Sequence, residues 1–142
     1  MSGRLVVICG LPGSGKTTLA KQLGGVRMCP DEVMTDLWDQ DERAQVEAEM
    51  WQRALELLAA GETVVVEFGS WHRAERDELR DGARRVGASV ELRYLDVPLD
   101  ELERRVLARN REGITRAHLE EWQHLIEVPT PAELDLYDAP PP

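Results

Sequence analysis

One stretch near the amino terminus has the residue types and the spacing needed to hold a polyphosphate. Residues 10–17 read Gly-Leu-Pro-Gly-Ser-Gly-Lys-Thr and fit G-x-x-x-x-G-K-[ST], the P-loop pattern. Glycines let consecutive backbone N–H groups curl around phosphate oxygens, which larger side chains would block. Lys16 would place a positive charge at the β- and γ-phosphates, and the Thr17 hydroxyl would reach Mg²⁺. The residues expected to bind the nucleotide are Gly10, Leu11, Pro12, Gly13, Ser14, Gly15, Lys16, Thr17 and Thr18.

The residues on either side indicate how this stretch is positioned. Leu5–Cys9 is a continuous apolar run, typical of a strand buried at the centre of a parallel sheet. Residues 16–23 are expected to form a helix that ends at Gly24-Gly25 and directs its positive end at the phosphates. The alternative is a glycine-rich strand-to-helix turn with an incidental lysine. The strand before the loop and the helix after it favour phosphate binding.

Strands and helices alternate along the rest of the chain. Further strands are predicted at 26–28, 63–68 and 90–95, helices at 42–60, 73–86, 98–110 and 115–126, a short helix and loop at 33–41, and mostly loop and tail after 129. This alternation predicts an α/β protein with three layers and a mainly parallel sheet. We find neither an internal repeat nor a linker, so we expect residues 1–142 to form a single domain.

Composition limits the possible partners. The net charge is −10, whereas proteins that grip long nucleic acids usually have a basic face, although the arginines could still cluster locally. No apolar stretch approaches the roughly 20 residues that span a bilayer. The first strand begins too early for a cleaved signal, so we expect a cytoplasmic protein without membrane contact. Cys9 and Cys29 form no C-x-x-C pair and are predicted to be buried thiols. The sequence gives no indication of oligomeric state.

The chain resembles the small P-loop kinases grouped with chloramphenicol phosphotransferases, zeta toxins and polynucleotide 5′-kinases. Its size and the lack of an N-K-x-D motif argue against motors and GTPase switches. The resemblance runs from Leu5 to about Tyr137 and rests on the P-loop, Asp31, the strand from Gly61 to Glu67, the arginines of 104–111, and Pro129-x-x-x-Glu133. It implies a P-loop fold of the nucleotide-kinase type and phosphoryl transfer from ATP, with Mg²⁺, to a hydroxyl group.

The resemblance also implies roles for two carboxylates at strand ends. Asp31 follows the second strand, where such kinases place the group that binds the acceptor hydroxyl or serves as its base. The alternatives are that Asp31 only caps a helix or that His72 is the base. Glu67 ends the third strand, where an acidic residue often holds Mg²⁺ through water. Many relatives have Asp there, so Glu67 could instead bind the acceptor or form a structural salt bridge.

Arginines and aromatic residues complete the implied site. In related kinases, arginines on a lid close over ATP, which assigns that role to Arg105 and Arg109 within a lid segment of about 104–115. A solvated helix face is the alternative. Trp71 would wall the acceptor pocket and Arg73 would orient the acceptor, unless Trp71 is packing and Arg73, like Arg76, is an exposed helix charge.

These assignments predict an ATP-dependent kinase that phosphorylates a hydroxyl on a small molecule. The same chemistry on a nucleic-acid 5′ end or a nucleotide is the first alternative. The second is an ATP-binding regulatory module with weak ATPase activity. ATP is preferred to GTP by resemblance alone. The segment Pro129–Glu133 resembles a loop near the adenine of the relatives, and the identity of the acceptor is not encoded in any recognisable motif.

Overall fold

The computed structural model describes residues 2–109 and 113–141, and within them four strands form one parallel sheet. The strands are β1 (Arg4–Cys9), β2 (Val26–Met28), β3 (Thr63–Val66) and β4 (Ser89–Tyr94). Their order is β2-β3-β1-β4, so β1 pairs with β3 on one side and with β4 on the other. The prediction that the first apolar run lies at the centre of a parallel sheet is confirmed.

Helices connect the strands. They are α1 (Lys16–Leu23), α2 (Gln40–Ala59), α3 (Arg73–Arg85), α4 (Leu99–Arg109), α5 (Arg116–Leu125) and α6 (Pro131–Leu134), with a 3-10 turn at Pro30–Glu32. The first five agree with the predicted helices to within two residues. The short helix expected within 33–41 is instead this 3-10 turn, which comes earlier and is followed by turns and bends. Helix α6 lies in the expected tail, where the Thr130 hydroxyl accepts a hydrogen bond from the Glu133 N–H.

Both faces of the sheet are covered. Leu5 and Val7 of β1 pack in a cluster with residues of α2 and α3, including Leu58 and Leu79, while Val6 and Ile8 pack in a cluster with Ala20 and its neighbours on α1. Successive residues of a strand point to opposite faces, so a strand between two helix layers must be apolar throughout. The predicted three-layer α/β fold is confirmed. Within the described residues, no helix combines the length and apolar character needed to cross a membrane.

This topology creates a crevice at the carboxyl ends of β1 and β3. The chain leaves β1 towards β2 and leaves β3 towards β4, which lie in opposite directions along the sheet. Open α/β sheets bind ligands at such a switch point. The loop 10–15 follows β1, and Glu67 follows β3 directly. The fold therefore brings the P-loop and Glu67 to the same place.

Candidate active site

The P-loop joins β1 to α1 in a conformation that depends on its glycines. Gly13 and Gly15 have φ values of 87° and 96°, in the left-handed region that favours glycine. A Cβ atom on Gly10 would lie 2.4 Å from the Ser14 hydroxyl oxygen. Because Gly15 has no side chain with which to cap α1, the N–H groups of the first turn are left for an anion. Within the described residues, the buried Ser14 hydroxyl has no hydrogen-bond partner either. The loop therefore offers unused donors to a polyphosphate.

Lys16 is held across the mouth of this loop. Its ammonium group donates to the Gly10 carbonyl at 3.0 Å, and the indole N–H of Trp71 donates to the same oxygen at 3.2 Å. Burial lowers the pKa of Lys16, while the negative charges of Asp31 and Glu67 raise it. Both carboxylates therefore lie close enough to the ammonium group to act on it. The structure thus brings Lys16, Asp31 and Glu67 into one electrostatic neighbourhood.

Glu67 and Thr17 form the best-defined pair of groups that could hold a metal ion. The Thr17 hydroxyl donates to Glu67 Oε1 at 2.8 Å across the crevice, and the Glu67 side chain is almost fully buried. Mg²⁺ is bound through one or two protein oxygens together with water and phosphate oxygens. These two groups fit that requirement. The second Glu67 oxygen pairs with Arg27 of β2 at 3.2 Å, and Arg27 also pairs with Glu32.

A second group of possible metal ligands lies beside this pair but is poorly suited to Mg²⁺. Among the described residues, ligand atoms of Cys29, Glu32 and Glu67 lie within 4.8 Å of one another. Burial, followed by the charges of Glu67, Glu32 and Asp31, raises the pKa of the Cys29 thiol to about 12. Mg²⁺ is bound by oxygen ligands, which a thiol does not supply. The oxygens of Thr17 and Glu67 are therefore the better fit for this ion.

Asp31 lies in the 3-10 turn after β2, and its side chain is 52% exposed. Arg43 of α2 forms an ion pair with it, with 2.9 Å between the guanidinium nitrogen and the carboxylate oxygen. The N-cap residue of this turn is Cys29, and its side chain makes no capping hydrogen bond. Asp31 is therefore a residue within the turn and not its cap. Asp31 is thus oriented by Arg43 and remains accessible to a ligand.

Arg105 and Arg109, the predicted lid arginines, lie at different places on α4. Arg105 of α4 donates to the Gly13 carbonyl of the P-loop at 2.9 Å and pairs with Glu101 at 2.9 Å. Arg109 lies at the exposed end of the same helix. Residues 110–112 of the expected lid, and with them Arg111, lie outside the described residues. The structure therefore brings Arg105 to the phosphate-binding loop.

The residues after β3 divide into two groups. Trp71 contacts the P-loop, as described above, whereas Arg73 pairs with Asp77 one turn further along α3, at 2.9 Å. The ring of His72 lies 2.9 Å from Glu75, within the first turn of α3. Arg73 and His72 are thus engaged by their own helix. Of the four residues expected on the acceptor side, Trp71, Asp31 and Glu67 lie in the P-loop region, whereas Arg73 pairs along its own helix.

A comparison with protein families identifies the family of this chain. Residues 5–130 match the family model described as an AAA domain. The chain belongs to the AAA domain family. No curated protein sequence matches it.

Solved structures with the same fold are small P-loop kinases and a related assembly. A gluconokinase from Sinorhizobium meliloti 1021 is 24% identical, with a TM-score of 0.60 over 90% of this chain and 77% of that one. The Mycobacterium tuberculosis APS kinase CysC, solved with AMPPNP and APS, is 24% identical, with a TM-score of 0.59 over 80% and 77%. A chain of the Pnkp1/Rnl/Hen1 RNA repair complex is 18% identical, with a TM-score of 0.72 over 96% and 47%. The nucleotide-kinase type of α/β fold expected from the sequence is confirmed.

In this AAA domain, two arginines outside the expected set organise the site. Arg27 fixes one oxygen of Glu67, and Arg76 of α3 forms a buried two-point ion pair with Glu133 of α6, at 2.7 Å for each contact. Arg76 also donates to the carbonyl of Ser70 at 2.8 Å, next to Trp71. Arg76 lies three residues before the buried Leu79, which places both on one face of α3. The charge of Arg76 nevertheless suggested an exposed position. Glu133, whose segment resembles a loop near the adenine of the relatives, pairs with Arg76 of α3.

Proposed function

We propose that this protein is a kinase that transfers the γ-phosphoryl group of ATP to a hydroxyl group of a small molecule. The proposal depends on one observation. Asp31 lies in the 3-10 turn after β2, at the same edge of the parallel sheet where the P-loop follows β1, and its carboxylate is half exposed. This is the arrangement that phosphoryl transfer to an alcohol requires, with a phosphate site facing a proton acceptor. The APS kinase of the same fold, solved with AMPPNP, supports ATP as the donor.

The proposed step assigns a role to Asp31, to the P-loop residues Lys16 and Thr17, and to Glu67 and the arginines of α4. The acceptor oxygen attacks the γ-phosphorus, the bond from phosphorus to the oxygen of ADP breaks, and the hydroxyl proton passes to Asp31. Lys16 and Arg105 offset the negative charge that develops on the transferred group. Mg²⁺, held by Thr17 and by Glu67, would neutralise phosphate charge. Arg109 is the second lid arginine in this proposal, within the segment 104–115.

A nucleic-acid 5′ end or a nucleotide is the second candidate acceptor. One specific observation favours it, namely the TM-score of 0.72 to a chain of an RNA repair complex. The net charge of −10 disfavours a long polyanion, because phosphate neutralisation supplies most of the affinity of such complexes. A small uncharged acceptor has no such penalty. We therefore rank the small molecule first.

The Asp31→Asn variant tests the proposal. ADP release would be measured against nucleosides, sugars, aminoglycosides and other hydroxylated metabolites, with 5′-hydroxyl oligonucleotides included. We expect the variant to keep nucleotide affinity and basal ATPase activity and to lose acceptor phosphorylation. Asp41→Asn is the matched control, since Asp41 is an exposed acid in the first turn of α2. Full acceptor phosphorylation in the Asp31 variant would refute the role of Asp31. ATP binding without acceptor-dependent turnover for any compound would favour the regulatory module.

A further inference from the structure

Four aromatic rings form a continuous series of contacts beside the P-loop. The ring centroids of Trp71 and Trp122 are 6.0 Å apart, and those of Trp122 and Trp38 are also 6.0 Å apart. His118 stacks on Trp122 at 5.5 Å and contacts Trp38 at 5.0 Å. These residues come from the loop before α2, the loop after β3, and α5. We call Trp38, Trp71, His118 and Trp122 the aromatic wall.

The inner end of the aromatic wall lies at the proposed transfer site. The indole nitrogen of Trp71 and the ammonium nitrogen of Lys16 both contact the Gly10 carbonyl oxygen, at 3.2 Å and 3.0 Å. Two atoms that contact the same oxygen at these distances are themselves close neighbours. The edge of Trp71 therefore lies next to the lysine that would hold the γ-phosphate.

The outer end of the aromatic wall is accessible. Trp38 is 46% exposed, so part of its ring surface faces solvent. Trp38 also belongs to the segment that follows Asp31, seven residues later in the chain. Trp122 lies between Trp71 and Trp38, with its ring centroid 6.0 Å from each of theirs. A ligand that reached Asp31 and Lys16 with its hydroxyl would have aromatic surface beside it.

We infer that the acceptor is an alcohol that carries a ring with a face able to stack, and that this ring stacks on the Trp38 end of the aromatic wall. That the bound molecule is a phosphoryl acceptor rests on the proposed kinase function. Nucleosides and pyranosides share this chemistry, because a nucleobase stacks through its π face and a pyranose through its C–H face. Acyclic polyols such as sorbitol and acyclic sugar acids such as gluconate lack the ring.

Binding of probe compounds tests the inference without requiring turnover. Tryptophan fluorescence would be titrated with thymidine, a methyl pyranoside, sorbitol and gluconate, in the presence of a saturating non-hydrolysable ATP analogue that fills the nucleotide site. We expect one of the two ring compounds to bind and sorbitol and gluconate not to bind. Trp38→Ala should weaken that binding by about 10- to 100-fold, the range typical of one stacked aromatic contact. Trp38→Phe should retain most of the affinity.

Trp51→Phe is the matched control, because Trp51 of α2 packs against Gly82 and is not part of the aromatic wall. Equal affinity of Trp38→Ala and Trp51→Phe for the ring compound would overturn the inference. Failure of both ring compounds to bind would also overturn it. So would binding of gluconate or sorbitol that is as tight as binding of the ring compounds. If a ring compound is phosphorylated, Trp38→Ala should raise KM with little change in kcat. A ring compound that binds through Trp38 but is not phosphorylated would support the inference and contradict the proposed function.

Discussion

Removing the Glu133 carboxylate should destabilise the protein strongly, since it leaves the Arg76 guanidinium buried without its counter-charge. The side chains of Arg76 and Glu133 are 1% and 2% exposed, and two contacts of 2.7 Å join them. Breaking a buried pair by removing one partner costs about 3–5 kcal/mol. We therefore expect Glu133→Ala to lower the free energy of unfolding by about that amount.

The size of the chain converts this loss into a shift in Tm. An unfolding entropy of about 2.1 cal/mol/K per residue gives about 0.3 kcal/mol/K for a chain of this length. The expected fall in Tm is therefore about 10–17 °C. Differential scanning calorimetry and urea unfolding would measure the two quantities independently of any activity.

An exposed ion pair between the same two regions provides the control. Arg84 of α3 pairs with Asp138 at 2.6 Å, but both side chains are about 40% exposed. Exposed pairs contribute about 1 kcal/mol or less, so Arg84→Met should lower Tm by no more than about 3 °C. The double variant Arg76→Met/Glu133→Leu should be more stable than Glu133→Ala, because no unpaired charge remains. Equal shifts for Glu133→Ala and Arg84→Met would refute the reasoning.

Three further predictions concern the site. Glu67→Gln should raise the Mg²⁺ concentration needed for half-maximal ADP release by about 10- to 100-fold, as loss of a group that orients metal ligands typically does. An unchanged Mg²⁺ dependence would contradict the proposed role of Glu67 in holding Mg²⁺. Arg105→Ala should lower kcat by about 10³, as for other arginines that stabilise phosphoryl transfer, whereas the exposed Arg104→Ala should not; similar effects of both would exclude contact with the phosphates. Because the pKa of Cys29 is about 12 rather than 9.0, its alkylation by iodoacetamide at pH 8 should be about a thousandfold slower than that of an ordinary thiol and should rise about tenfold per pH unit. Mass spectrometry with a Cys29→Ser control would measure this rate, and rapid labelling at pH 8 would contradict the buried acidic setting.

The parts of the fold that follow from local pattern were predictable. The run Leu5–Cys9, apolar throughout and without alternation, correctly indicated the central strand. Gly10 to Thr17 specify a loop conformation directly, since Gly13 and Gly15 adopt φ values that other residues avoid. The position of Glu67 beside Thr17 followed from parallel strands ending at one edge.

The contacts between distant residues were not predictable in the same way. Arg76 and Glu133 are 57 residues apart, and a charged residue on a helix is usually exposed unless a partner is known. Arg27 was not recognised because a three-residue strand shows no periodicity that reveals which side chain meets Glu67. The aromatic wall depends on where three separate segments meet. No spacing within one segment specifies such a meeting.

The shared acceptor at Gly10 has a consequence for nucleotide entry. If Lys16 turns from the Gly10 carbonyl towards a triphosphate, a buried carbonyl that loses its donor is usually costly. Here the indole of Trp71 continues to donate to that oxygen at 3.2 Å. The lysine is therefore free to transfer its hydrogen bond to the substrate without leaving an unsatisfied backbone group behind, so the affinity for nucleotide is not reduced by that penalty.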